Sequence, residues 1–217
     1  MRLKDYDTQD GKRVWLSERE IQQFLDEAQG PRQRAAFLLG VRCGLRRDEI
    51  LEVRPAHLHE TEIGQVLRIW HGKGDKYREV PVPVELATII TTLADQEDVG
   101  NARVVGTEHG STIYRWVQGA GERLREETGD PGWSEIGPHD LRRSWGIRAL
   151  EAGVLPSVVF EWGGWDDWQT FRDHYLAEFS PEALRRERAK VEWLRENDQT
   201  LDSVNGPGKD YQIVENM

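Results

Sequence analysis

The sequence predicts a mainly α-helical domain that carries a small antiparallel β-sheet. Apolar residues recur at helical spacing through most of the chain, with serine, proline and glycine where helices start and stop. One central stretch instead alternates like a hairpin, around a glycine-rich turn. Other classes are excluded by composition. The single cysteine, Cys43, leaves no internal disulfide possible, and no run approaches the roughly 18 uncharged apolar residues of a spanning helix. Nine tryptophans argue against wholesale disorder.

The first helix is expected at Ser17, where Ser17 and Glu20 form a capping-box pattern and Leu16 and Ile21 flank it as a staple. Ile21, Phe24, Leu25 and Ala28 then make one apolar stripe, closed near Gly30. Pro31 is suited to open a second helix. Its run Ala35, Ala36, Phe37, Leu38, Leu39, Val41 is apolar almost all round and should lie deep in the core. A short helix follows from Arg46 to Glu52, stopped ahead of Pro55.

Residues 65–70 and 77–82 read as two strands joined across His71-Gly72-Lys73-Gly74-Asp75-Lys76, with residues 58–63 as a third, edge strand. Helices return over Glu85–Ala94, Ser111 to about Glu127, Pro138 to about Glu151, and Pro181–Glu196. Residues 1–196 are expected to form one domain, with its core over about 14–193. The polar segment 197–217, centred on Gly206-Pro207-Gly208, is expected to be a mobile tail.

Charge is distributed unevenly. Bases number 29, as 23 arginines and 6 lysines, against 39 acids, for a net charge of -10. An acid-rich, lysine-poor surface is the composition expected of a salt-loving organism. Between Pro31 and Arg54, however, six arginines face three acids, a local excess of +3. Nucleic-acid binding depends on such local patches rather than on the total. The N-terminus lacks the apolar stretch of a signal peptide, and with the lone cysteine this predicts a cytoplasmic protein.

Several segments carry side chains capable of phosphate chemistry. Gly44 lets the chain turn and offers Arg46 at a helix start, with Glu49 one turn on along the same face; an ion-paired surface arginine fits equally well. Lys73 sits in a glycine-flanked hairpin tip able to enter a groove, or in an ordinary turn. His139 and Arg142 share a helix face, although a histidine beside a helix-starting proline is commonly structural. The aromatics from Trp162 to Tyr175 fit a core, while Asp166, Asp167 and Asp173 keep the segment partly wet and allow the Tyr175 hydroxyl to be presented. His57-x-His59 lacks companions at metal-ligand spacing, so no metal or other cofactor is expected.

Taken in order, these segments resemble the catalytic domain of the tyrosine recombinases, the phage integrases. The Gly-Leu-Arg-x-x-Glu-Ile segment falls at Gly44–Ile50, the Gly-Lys-Gly hairpin with a following basic residue and Val-Pro at Gly72–Pro81, and the His-x-x-Arg box at His139 and Arg142. Gly164-Trp165 matches the next box, and Tyr175 follows at the interval of the family's nucleophile. The likeness spans about Val14 to Trp193.

The resemblance implies a mainly α catalytic fold and a catalytic set of Arg46, Lys73, His139, Arg142, Trp165 and Tyr175, with Glu49 in support. It implies cleavage and rejoining of double-stranded DNA through a 3′-phosphotyrosine. A type IB topoisomerase-like nicking and resealing enzyme uses the same chemistry, and a non-catalytic DNA-binding relative is a third reading. DNA contacts are expected from Arg32, Arg34, Arg42, Arg47, Lys76 and Arg143. Family members usually carry a helical DNA-clamping domain ahead of the catalytic one, whereas 16 residues precede Ser17 here. The expected partners are therefore duplex DNA, an accessory DNA-binding protein, and further copies on DNA through the C-terminal helix or tail.

Overall fold

The computed structural model describes residues 1–5, 12–70, 77–96, 102–176 and 181–194. They fall into two compact units, Met1–Ala177 and Glu178–Met217.

In the first unit the strands β1 (Arg2–Asp5) and β2 (Lys12–Trp15) pair antiparallel, Leu3 opposite Val14. Helix α1 (Glu18–Asp26) starts on the anticipated capping box: the Ser17 N–H donates to Glu20 Oε2 at 2.8 Å, and Ser17 Oγ accepts from the Glu20 N–H. Its stripe of Ile21, Phe24 and Leu25 is buried. Helix α2 (Pro31–Val41) begins at its proline and is buried from Ala35 to Val41, as an all-round apolar helix must be. Helix α3 (Arg47–Glu52) follows.

Strands β3 (Leu58–Thr61), β4 (Gly64–Ile69) and β5 (Arg78–Pro81) form an antiparallel sheet in that order. Leu67 faces both Leu58 and Val80 in register, so the buried alternate residues of β4 meet the core. Helices α4 (Val84–Gln96) and α5 (Gly110–Thr128) continue the main core, and α6 (Pro138–Glu151) crosses α2. Gly40 makes that crossing close, because a Cβ there would stand 3.1 Å from Leu141.

Three features depart from the sequence expectation. Among the described residues there are two small sheets rather than one. An unanticipated helix α7 (Pro156–Gly163) precedes α8 (Trp168–Phe171), which runs into a π turn over Arg172–Leu176. In the second unit α9 (Pro181–Ala189) is interrupted before residues 192–194 turn helical again, and the expected end at Glu196 lies outside the described residues. The β1–β2 ribbon is too short and too charged to alternate visibly. Its anchors are tertiary: the Val14 N–H donates to Asp140 Oδ1 at 3.1 Å and the Leu16 N–H to Ser144 Oγ at 2.9 Å, both on α6.

Two buried clusters result. The larger gathers α1, α2, α4, α5 and the three-stranded sheet. The smaller joins Trp15, Trp145, Ile147, Leu150, Val159, Phe171 and Tyr175, and it carries the candidate site.

Candidate active site

The site is assembled where α3, α6, the end of α7 and the π turn converge. Gly44, with φ +65°, turns the chain out of α2 in a conformation that only glycine adopts cheaply. Arg46 then caps α3. Its backbone N–H donates to Glu49 Oε2 at 2.7 Å and its Nη1 to Glu49 Oε1 at 2.9 Å, so one carboxylate holds both ends of the residue. Burial alone would raise the Glu49 carboxyl, but hydrogen bonds and charge from Arg78, aided by Arg46, outweigh it and hold the group below its ordinary value.

Arg142 projects from α6 and is 1% exposed. Its Nη1 donates to Gly44 O at 2.5 Å and its Nη2 to Gly163 O at 2.7 Å, while the guanidinium stacks 4.4 Å over the Trp165 ring. Burial, then the charge of Arg46, depresses its pKa to about 10. Arg46 completes its own fork by donating Nη2 to Gly164 O at 2.8 Å.

Tyr175 sits in the π turn, 5% exposed. Its ring stacks on Phe171 at 5.2 Å and meets Trp165 edge-on at 4.9 Å. The ring also lies on Gly146, where a Cβ would come within 2.7 Å of it. Burial raises the phenol pKa, against the lowering pull of Arg142, Arg143 and Arg46. Exposed His139, at the start of α6, lines a cleft of about 240 Å³ with Arg46, Arg142, Leu45, Tyr114 and Pro138.

The structure therefore brings together Arg46, Glu49, Arg142, Trp165 and Tyr175, with His139 on the cleft wall. Lys73 and Lys76 lie outside the described residues. The basic stretch is dispersed rather than pooled. Arg32 donates to the carbonyls of Arg103 and Val104, Arg34 to Leu25 O and Glu85, and Arg42 forks onto Glu18. Arg47 pairs with Asp48 beside the cleft, and Arg143 pairs with Asp140 and stacks on Trp15. Three important residues were not singled out from sequence. Asp140 and Ser144 dock β2, and Arg78, 6% exposed, forks onto Glu49. For Arg78 the one available signal was its place just before Val80-Pro81.

This arrangement presents two guanidiniums at one small opening, with the buried Tyr175 ring joined to Arg142 through the Trp165 ring, and it is suited to stabilising charge on a phosphoryl group. The family model for the phage integrases matches residues 14–181, a stretch that includes every one of these side chains. The chain belongs to the phage integrase family.

Relatives of this integrase-family chain agree in fold. A tyrosine recombinase of Thermosipho africanus is 29% identical over 156 residues, which are 68% of this chain and 51% of that protein. The crystal structure of the XerA recombinase superposes with a TM-score of 0.64 at 22% identity, covering 82% of this chain and 64% of the other. The Tn1549 transposon integrase, in complex with transposon right end DNA, gives 0.62 at 17% identity, covering 86% and 68%. The chain thus spans about half the length of its curated relative. Among the described residues, no helix is long and apolar enough to cross a membrane.

Proposed function

We propose that this chain is a site-specific DNA recombinase that cleaves and rejoins duplex DNA through a 3′-phosphotyrosine on Tyr175. The observation that carries the reading is Arg142. It is a buried guanidinium that hydrogen-bonds two carbonyls and, among the described residues, no carboxylate. A buried cation without a counter-ion is costly, and a phosphodiester in the adjoining cleft would supply the missing charge.

In the reaction the Tyr175 oxygen bonds to phosphorus while the bond from phosphorus to the 5′ oxygen breaks. The phenolic proton passes to a base, for which His139 is the candidate. The departing 5′ oxygen takes a proton from Lys73. Arg46 and Arg142 bind the non-bridging oxygens on which charge accumulates, and Trp165 keeps Arg142 and Tyr175 in place from either side. The phosphotyrosine retains the bond energy, so a 5′ hydroxyl from a paired duplex rejoins the strand by the reverse step. Duplex DNA is the partner on this reading, with further copies of the chain at the paired site.

The test is a nicked duplex containing the candidate site, which traps the covalent product because the short 5′ fragment diffuses away. Wild-type protein should give an adduct that survives denaturation and EDTA, and Tyr175→Phe should give none. An undiminished adduct in the phenylalanine variant, or strict dependence on a divalent metal, would overturn the mechanism.

A further inference from the structure

Three successive carbonyls at the end of α7 each accept from a different arginine. Trp162 O takes Arg78 Nε at 2.9 Å, Gly163 O takes Arg142 Nη2 at 2.7 Å, and Gly164 O takes Arg46 Nη2 at 2.8 Å. These are among the orphan carbonyls of a helix terminus, where the backbone dipole favours cations. The opposite edge of the Arg78 guanidinium grips Glu49, with Nη1 on Oε1 at 2.9 Å and Nη2 on Oε2 at 2.7 Å. Glu49 is the carboxylate that holds the backbone and guanidinium of Arg46.

We propose that Arg78 is the positioning residue of this site: from β5 it ties Glu49 to the α7 terminus and thereby sets where Arg46 and Arg142 meet the phosphate. The inference rests on the recombinase reading above and assigns Arg78 no contact with DNA. Its geometry explains why the position is arginine. A planar fork reaches both carboxylate oxygens along one edge while Nε points at Trp162, whereas an ammonium is a single point. The surroundings are shaped around it. Gly164 has φ +62°, and a Cβ there would come within 2.8 Å of the Arg78 Cδ. Three arginines against one carboxylate leave the cluster net cationic, so removing Arg78 relieves repulsion as well as removing ties. Only a substitution that keeps the charge therefore separates position from charge.

The experiment compares single-turnover cleavage of two nicked duplexes at saturating protein. One has a normal scissile phosphate. The other has a methylphosphonate, in which a methyl replaces a charged oxygen and the need for two aligned guanidiniums falls. Arg78→Lys keeps the charge and should retain DNA affinity within about threefold. Its cleavage rate constant should fall at least tenfold on phosphate, since a displacement of ~1 Å can cost about a hundredfold. On methylphosphonate the loss should shrink to under about threefold, because less charge then needs to be met. Equal losses on both substrates would mark Arg78 as merely structural, and no loss on phosphate would remove its role altogether. Should Arg78→Lys not fold, Gly164→Ala disturbs the same guanidinium and is read by the same ratio. Wild-type protein that forms no Tyr175-dependent adduct on either duplex overturns the recombinase reading and this inference with it. A wild-type adduct with unchanged Arg78→Lys rates overturns the inference alone.

Discussion

Among the described residues Arg142 hydrogen-bonds two carbonyls and no carboxylate, and its ionisation reports the consequence. The folded pKa of about 10 lies below the ordinary arginine value, so the protonated form costs the fold stability throughout the range below 10. That cost fades only as pH climbs from about 10 towards the ordinary arginine value. An anion in the cleft should offset it at neutral pH. Sulfate at ten times its dissociation constant should add about 1.4 kcal/mol, or ~3–6 °C in Tm, relative to chloride at equal ionic strength. Arg142→Gln should abolish the increment, and an equal shift in that variant would place the anion elsewhere. Catalysis should carry the same signature. With the Tyr175 phenol held above its usual value and Arg142 titrating near 10, adduct formation at subsaturating DNA should rise with pH and turn down above about 10. A profile with no downturn would mean that Arg142 keeps its proton over the whole range. Glu49 behaves oppositely. Its depressed carboxyl contributes stability above the ordinary carboxylate range that disappears as pH falls through the folded value.

At the scale of elements, glycines set the distances between α6 and what packs on it. Gly146 receives the Tyr175 ring, and a methyl there would stand 2.7 Å from it. Gly146→Ala gains up to about 1 kcal/mol of helix propensity, so the fold should survive while the phenol is pushed away. Cleavage should drop about tenfold or more with Tm within a few degrees, measured by adduct formation beside thermal melting. Unchanged cleavage would show that the π turn absorbs the methyl. Gly44→Ala differs in kind. It forces a side chain into φ +65° and into the Trp145 ring, 2.1 Å from the new Cβ. Strain and overpacking together should cost about 2–5 kcal/mol of stability, visible as a large fall in the denaturation midpoint.

Over the whole molecule, a charge of -10 makes salt act with two signs. The acids repel one another across the surface, so moderate NaCl should raise Tm by screening, even as exposed pairs such as Arg42 with Glu18 and Arg103 with Glu52 weaken. On the proposed function DNA affinity should fall over the same range, because Arg46 and Arg142 would displace counter-ions from phosphate. Parallel melting and binding titrations from about 0.05 to 1 M would check both signs. Binding that barely responds to salt would argue against a phosphate-directed interface.

Much of the fold was legible in local signals. Ser17 and Glu20 announced α1, Pro31 and Pro138 opened α2 and α6, and the alternation around the Gly-Lys-Gly turn marked β4 and β5. Caps, prolines and periodicity act over a few residues, so a linear reading recovers them. The order of Arg46, His139, Arg142, Trp165 and Tyr175 was legible for the same reason, as short motifs. By itself the sequence determined those helices, the paired strands β4 and β5, and the order of the motifs that carry the candidate site. The tertiary structure alone decided the β1–β2 ribbon, anchored by side chains 126 and 128 residues away. It also decided how Arg142 reaches Gly44 across 98 residues and how Arg78 reaches Glu49 across 29 and Trp162 across 84. Such partners are chosen by packing of distant elements. A buried arginine takes whatever carbonyl or carboxylate the folded chain brings within about 3 Å, and no local pattern encodes that choice.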